Sequence, residues 1–122
     1  MHVLVVDDES FIADFVCTVI ETEFAPATVR AVGSLRDALE ALSRETFHAA
    51  VLDANLDGFS ASPIAEALQL QGAPYFVISG SISQRLLPPP LDRAKLLAKP
   101  FRKRQLMECL VELMQRAALR AA

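Results

Sequence analysis

Short runs that are apolar throughout alternate along this chain with longer stretches in which apolar residues recur every three or four positions. HVLVV (2–6) is β-branched and predicts a buried strand, and SFIADFVCTVIETEF (10–24) follows it with Ile12, Phe15, Val16, Val19 and Ile20 on one helical stripe. TVRAV (28–32) reads as a weaker strand. SLRDALEALSRET (34–46) then predicts a helix with Ser34 as its N-cap and Leu35, Ala38, Leu39 and Leu42 on one face. AAVLD (49–53) is a third strand, and a helix is predicted from Ser62, with Pro63 in its first turn, to about Gly72. PYFVIS (74–79) is the fourth strand. In GSISQRLLPPPLDR there is room for about two helical turns before Pro88, Pro89 and Pro90 forbid continuation, so the fourth helix is expected to be short or irregular. AKLLA (94–98) is the fifth strand and RKRQLMECLVELMQRAALRA a long last helix. There, Leu106, Met107, Leu110, Val111, Leu113, Met114 and Ala117 form a sector wider than one sheet contact needs, which predicts some surface for a partner. Five strand-then-helix units argue for one α/β domain over 1–122, a parallel sheet covered by helices on both faces. In such a sheet, ligands gather at the carboxyl ends of the strands.

Composition narrows the picture without changing it. A chain of 122 residues can bury an adequate core without disulfides or structural metal, and 52% hydrophobic with 22% charged residues is ordinary globular usage. No apolar run is long enough to span a bilayer and the N-terminus lacks signal-peptide features, so a cytoplasmic protein without membrane contact is expected. Cys17 and Cys109 sit apart inside helical patterns and are expected to be buried thiols. Arg102, Lys103 and Arg104, with Lys99, form a basic run without interleaved aromatics, which reads as a solvated helix start and not as a nucleic-acid surface. His2 and His48 are expected to be structural. The charge is uneven: residues 1–61 carry eleven acids and three bases, whereas 62–122 carry four acids and nine bases. Acids gathered around one site in the first half would call for a cation.

The polar residues that end the strands supply the candidate chemistry. They are Asp7, Asp8 and Glu9 after the first strand, Asp53 after the third, Ser79 and Gly80 after the fourth, and Lys99 before Pro100 after the fifth. The stretch LDANLDGF (52–59) has the D-x-N-x-D-G opening of an EF-hand loop, but the twelfth position is Ile64 and a strand precedes it where a helix belongs. Calcium is therefore set aside. A polar turn and an activated carboxylate both remain open for Asp53. Carboxylates crowded at one rim repel each other unless a cation sits among them, and an oxygen-only donor set favours Mg²⁺. A carboxylate beside Mg²⁺, a lysine and a hydroxyl has the parts for phosphoryl transfer onto Asp53. Taken singly, Asp7–Glu9 would be an acidic helix start, Lys99 a solvated lysine and Ser79 a turn residue.

Together, VVDDES, LDANLDG, VISG and AKPF, in that order on a five-unit α/β pattern, resemble the response-regulator receiver (CheY-like) domains of two-component signalling over the whole chain. The resemblance implies a flavodoxin-like doubly wound sheet of strand order 2-1-3-4-5. It implies that Asp53 accepts phosphate from a sensor histidine kinase or a histidine phosphotransfer protein. It further implies that Asp8, Asp53 and the Asn55 carbonyl bind Mg²⁺ with Asp7 acting through water, and that Lys99 and Ser79 contact the phosphoryl oxygens. Backbone N–H groups of Ala54 and Gly80 would complete the cradle, and Lys99–Pro100 would be cis. Such a domain is a self-phosphorylating and autodephosphorylating switch and not an enzyme turning over a metabolite. Its downstream partners would meet the face of helix four, strand five and helix five.

The sequence departs from the family in places. Leu96 stands where an aromatic is common, which leaves Tyr75, Phe76 or the fourth helix to carry the signal. Asp57 replaces a proline and is expected to leave its loop freer. Gly80 and the three prolines resemble the stand-alone subset called FAT GUY receivers, although Ser81 stands where that subset has an aromatic. With no output domain expected, the first reading is a phosphoacceptor acting through partners or as a relay. The alternatives are a small hydrolase using Asp53, or a degenerate receiver that binds partners without phosphorylation. Asn55 and Ser81 flank the expected approach of water and would tune hydrolysis.

Overall fold

The computed structural model describes residues 1–80 and 87–121, in which five strands form one parallel sheet: β1 (His2–Val6), β2 (Thr28–Val32), β3 (Ala49–Asp53), β4 (Tyr75–Ser79) and β5 (Leu96–Ala98). Their order is 2-1-3-4-5, the doubly wound flavodoxin-like arrangement that the resemblance implied. Ser81 and the expected short fourth helix lie outside the described residues. Because the connections put helices on both faces, the inner strands are apolar on both faces and not alternating. Val3, Val5, Val51, Phe76 and Ile78 pack under α1 (Ser10–Glu23) and α4 (Lys103–Ala121), while Leu4, Val6, Leu52 and Val77 pack under α2 (Leu35–Arg44) and α3 (Ser62–Gln71). The period of two along each strand sorts these residues between the two layers.

Local chemistry sets the helix ends. Ser34 Oγ accepts the Asp37 N–H (3.1 Å) to cap α2, Pro63 occupies the first turn of α3, and Gly72 ends α3 in the left-handed region (φ 72°). Pro90 leads into a single 3₁₀ turn, Leu91–Arg93, so β5 begins two residues later than its apolar run suggests. The Lys99–Pro100 bond is cis, as the resemblance implied, and so are Ala25–Pro26 and Pro89–Pro90. His2 is structural: its ring stacks on Phe47, its nitrogens meet Thr28 Oγ1 (2.7 Å) and Glu45 Oε1 (2.9 Å), and its main-chain N–H donates to His48 Nδ1 (2.9 Å). Among the described residues no helix is long and apolar enough to cross a membrane.

Three expectations about packing are corrected. In α2 the buried face is Ala38, Ala41 and Leu42, with Leu39 exposed, because small side chains let this helix lie close against the sheet. Cys109 is buried but Cys17 only half so. The broad apolar sector of the last helix is core: Leu106, Cys109, Leu110, Leu113 and Ala117 are buried, Met107 and Met114 pack against the same cluster, and Val111, 41% exposed, is what remains for a partner. That helix needs the width because it packs on both the sheet and α1.

Leu110→Ala is expected to lower the unfolding free energy by about 2–5 kcal/mol, whereas Val111→Ala should stay within about 1 kcal/mol. Urea denaturation monitored by far-UV circular dichroism measures both; comparable losses for the two would contradict this assignment of the core.

Candidate functional site

Strand ends bring the candidate residues to one rim. β1 delivers Asp7, whose N–H extends the ladder to the Val32 carbonyl (3.1 Å), and Asp7 is 4% exposed, Asp53 5% and Ser79 4%. Asp8, Glu9, Asn55 and Gly80 are exposed around them. The Lys99 N–H donates to the Ser79 carbonyl (2.9 Å), which fixes the end of β5 against β4 and sends the lysine side chain across the rim. Lys99 Nζ lies 3.1 Å from Asp53 Oδ2, 2.8 Å from Glu9 Oε1 and 3.7 Å from Asp7 Oδ2. Sequence reasoning placed Glu9 at this rim but missed its pairing with Lys99, since which acid a long side chain reaches depends on where strand five ends.

Asp53 is followed by a tight hairpin that no apolar run announces. Asn55–Leu56 pairs antiparallel with Phe59–Ser60 around Asp57 (φ 51°) and Gly58 (φ 87°). Two successive positive φ values make this a two-residue turn of the kind that favours Asp-Gly. Asn55 Oδ1 accepts the Gly58 N–H (2.9 Å), and the Asp57 N–H donates to Asp8 Oδ2 (2.9 Å). The loop expected to be freer without its proline is thus closed on itself and tied to Asp8. The Ala54 N–H, expected to join a phosphate cradle, continues the β3–β4 ladder to the Ile78 carbonyl (2.9 Å), and the amide that meets the Asp53 carboxylate is that of Asn55, 3.3 Å from Asp53 Oδ1. Gly80 borders the site as expected, on a cleft of about 430 Å³ that Asp53, Asn55, Ser60 and Ser79 also line. Tyr75 and Phe76 are buried at the other end of β4, three or more residues before Ser79, and Leu96 is half-buried in the core.

Burial is the main cause of the site's electrostatics. It pushes the Asp53 carboxyl up to about 6, with the Asp7 charge adding to the effect and Lys99 opposing it. Asp7 is raised for the same reason, against the hydrogen bond from the Glu9 N–H and the charge of Lys99. Burial disfavours the Lys99 ammonium, yet its hydrogen bonds to Glu9 and Asp53 and the charges of Asp53 and Asp7 outweigh it, so its pKa is raised. The donor set fits a hard divalent ion. Asp7, Asp8, Glu9 and Asp53 each offer an oxygen, all within 4.8 Å of one another, and Asp7 Oδ2 is buried with no hydrogen-bond partner among the described residues. An ion there would replace Lys99 as the main compensation for two buried carboxylates.

No protein-family model matches the sequence and no curated protein matches it. Solved structures do match. A CheY-like response regulator receiver domain protein from Methanospirillum hungatei is 20% identical, with 98% of this chain and 97% of that one covered and a TM-score of 0.78. The BeF₃-activated conformation of SdrG from Pseudomonas melonis is 28% identical, with 93% and 95% covered and a TM-score of 0.74. The N-terminal domain of a response regulator/sensory box/GGDEF protein from Carboxydothermus hydrogenoformans covers both chains fully at a TM-score of 0.82, with 15% identity. By its fold and the residues at its rim, this chain is similar to receiver domains of the CheY-like, response-regulator type.

A carboxyl whose pKa is higher folded than unfolded binds extra protons in the folded state, so it costs stability as pH rises between the two values. For Asp53 that window runs from about 3.8 to about 6. In EDTA, Asp53→Asn is therefore expected to stabilise the protein at pH 7.5, by about 1–3 kcal/mol, and the gain should shrink as the pH falls toward 5. Chemical denaturation at several pH values tests this; a loss of stability at pH 7.5 would show that the Lys99 contact outweighs the burial of charge.

Proposed function

We propose that this chain is a phosphoacceptor receiver in which Asp53 takes a phosphoryl group from a phosphohistidine on a sensor histidine kinase or a histidine phosphotransfer protein. The observation that carries this reading is a buried carboxylate in contact with a lysine and backed by a second buried carboxylate oxygen that has no hydrogen bond, all at the open rim of a doubly wound sheet. Ionised Asp53 presents an oxygen to phosphorus, the bond from phosphorus to the imidazole nitrogen breaks, and the electron pair leaves with the histidine. Asp8, Asp53 and the Asn55 carbonyl, with Asp7 behind them, would hold Mg²⁺, which when bound would offset the charge of the transferring group. Ser79 borders the same cleft as Asp53 and donates its hydroxyl to one phosphoryl oxygen; the Asn55 and Gly80 N–H groups meet others.

Lys99 links acceptance to signalling. Before transfer it is shared between Asp53 and Glu9, and after transfer a phosphoryl oxygen claims it, releasing Glu9 at the start of α1. With Leu96 in place of an aromatic, this exchange of ionic partners transmits the event in place of a swinging ring. The changed rim, with the adjoining face of β5 and α4, is what a downstream partner reads. The protein works in the cytoplasm as a switch that also removes its own phosphate, with Asn55 beside the path of the attacking water.

Intact-mass spectrometry after incubation with acetyl phosphate and Mg²⁺ tests the reading directly. The expected result is one phosphate adduct on the wild-type chain, absent with EDTA and absent in Asp53→Asn. An adduct that persists in Asp53→Asn, or no adduct together with no binding of beryllofluoride, would overturn it.

A further inference from the structure

The opposite rim of the sheet carries an unexplained charge. There the C-terminus of α3, the start of β4, the segment before β5 and the last turns of α4 enclose a cleft of about 530 Å³, lined by Arg93, Lys95, Arg116 and Arg120. These are four of the nine bases that the second half of the chain sets against four acids. Arg116 and Arg120 lie one helical turn apart and so share a face of α4. Gly72 supports the arrangement. Its φ is 72°, and a Cβ built there would come within 3.2 Å of an Arg120 guanidinium nitrogen, so glycine lets the guanidinium lie against the end of α3. Tyr75 adds a buried phenol that burial keeps protonated as a donor, against the pull of Gln69 and Arg116.

The fold's own needs use up part of this charge. Two helix carboxyl ends carry together about one negative charge. Glu112 pairs with Lys95 at 3.7 Å, the ion pair these four cations make among the described residues, and Asp92 acts on Tyr75 from nearby. Positive charge remains in surplus, in a concave site where low-dielectric walls concentrate the field. Three of the four cations are arginines, whose planar forks bind phosphate oxygens in pairs. A volume of this order is that of a small-ligand site.

We propose that the cleft at the amino-terminal rim, formed by Arg93, Lys95, Arg116 and Arg120, binds a compact polyanion bearing several phosphate groups. Occupancy would tie α3, β4, β5 and α4 together at the end of the sheet remote from Asp53. The chemistry is shared by a nucleoside triphosphate and by an inorganic phosphate chain, so both are probes. In isothermal titration calorimetry of the full chain at low and constant ionic strength, with EDTA, tripolyphosphate and adenosine triphosphate are each expected to bind saturably, one per chain. R116A/R120A should weaken this by about tenfold or more. Arg93→Ala, on another element, should weaken it independently of any effect of the double variant on folding, and Asp53→Asn should leave it unchanged. Tighter binding of the nucleotide would assign it as the ligand, and equal affinities would assign the phosphate chain. Absence of saturable binding, insensitivity to both sets of arginine substitutions, or loss of binding in Asp53→Asn would overturn the proposal.

Discussion

The contact between Lys99 and Asp53 is the constraint around which this rim is arranged. Two carboxylates, Asp7 and Asp53, are almost fully buried side by side, and one ammonium reaches both. An isolated buried carboxylate would cost several kcal/mol, and two that repel each other cost more. Lys99 offsets part of that cost, yet the Asp53 carboxyl is still pushed up to about 6, so compensation is incomplete. A site compensated only in part has room for a further cation. Stability and chemistry therefore pull in opposite directions at this rim, a common condition of functional sites.

That strain is tolerable because the surroundings are rigid. The central strands are apolar on both faces, so their register is set by two packed layers, and the residue after each last apolar position emerges at the same level. The hairpin after Asp53 extends this rigidity outward. Its Asp57 N–H holds Asp8, its Asn55 side chain closes the turn on Gly58, and the Ala61 N–H returns to the Ala54 carbonyl (3.1 Å). The exposed carboxylate of Asp8 is thereby oriented by backbone and not left to wander.

The strands were legible because each apolar run is bounded by turn residues, and β1, β2 and β3 fall on the residues read from the pattern. Asp53, Asp7, Asp8 and Lys99 were legible for a related reason, since a charged residue directly after a buried strand must surface at the rim. Other features depend on neighbours distant in sequence. Whether the Ala54 N–H is available turns on how far β4 runs alongside β3, and Glu9 meets Lys99 only across ninety residues of chain. Leu39 was misplaced because helical periodicity allows both Leu39 and Ala41 on the buried side, and the closeness of the sheet decides for alanine. The Asp57–Gly58 turn had a local signal, the dipeptide itself, which the missing proline overshadowed.

The two ends of the sheet carry opposite charge, and the strand length keeps them apart. Five residues of strand rise about 16 Å, roughly twice the screening length at physiological salt. The acidic rim, with Asp7, Asp8, Glu9 and Asp53, and the basic cleft, with Arg93, Lys95, Arg116 and Arg120, therefore do not neutralise each other through solvent. Any influence of one on the other has to pass through packed elements, and β4, β5 and α4 are the ones at hand: Ser79 ends β4 where Tyr75 begins it, and Lys99 follows β5 where Lys95 precedes it. Leu96 and Leu97 fill the span between the two lysines with core contacts, one toward each helical layer.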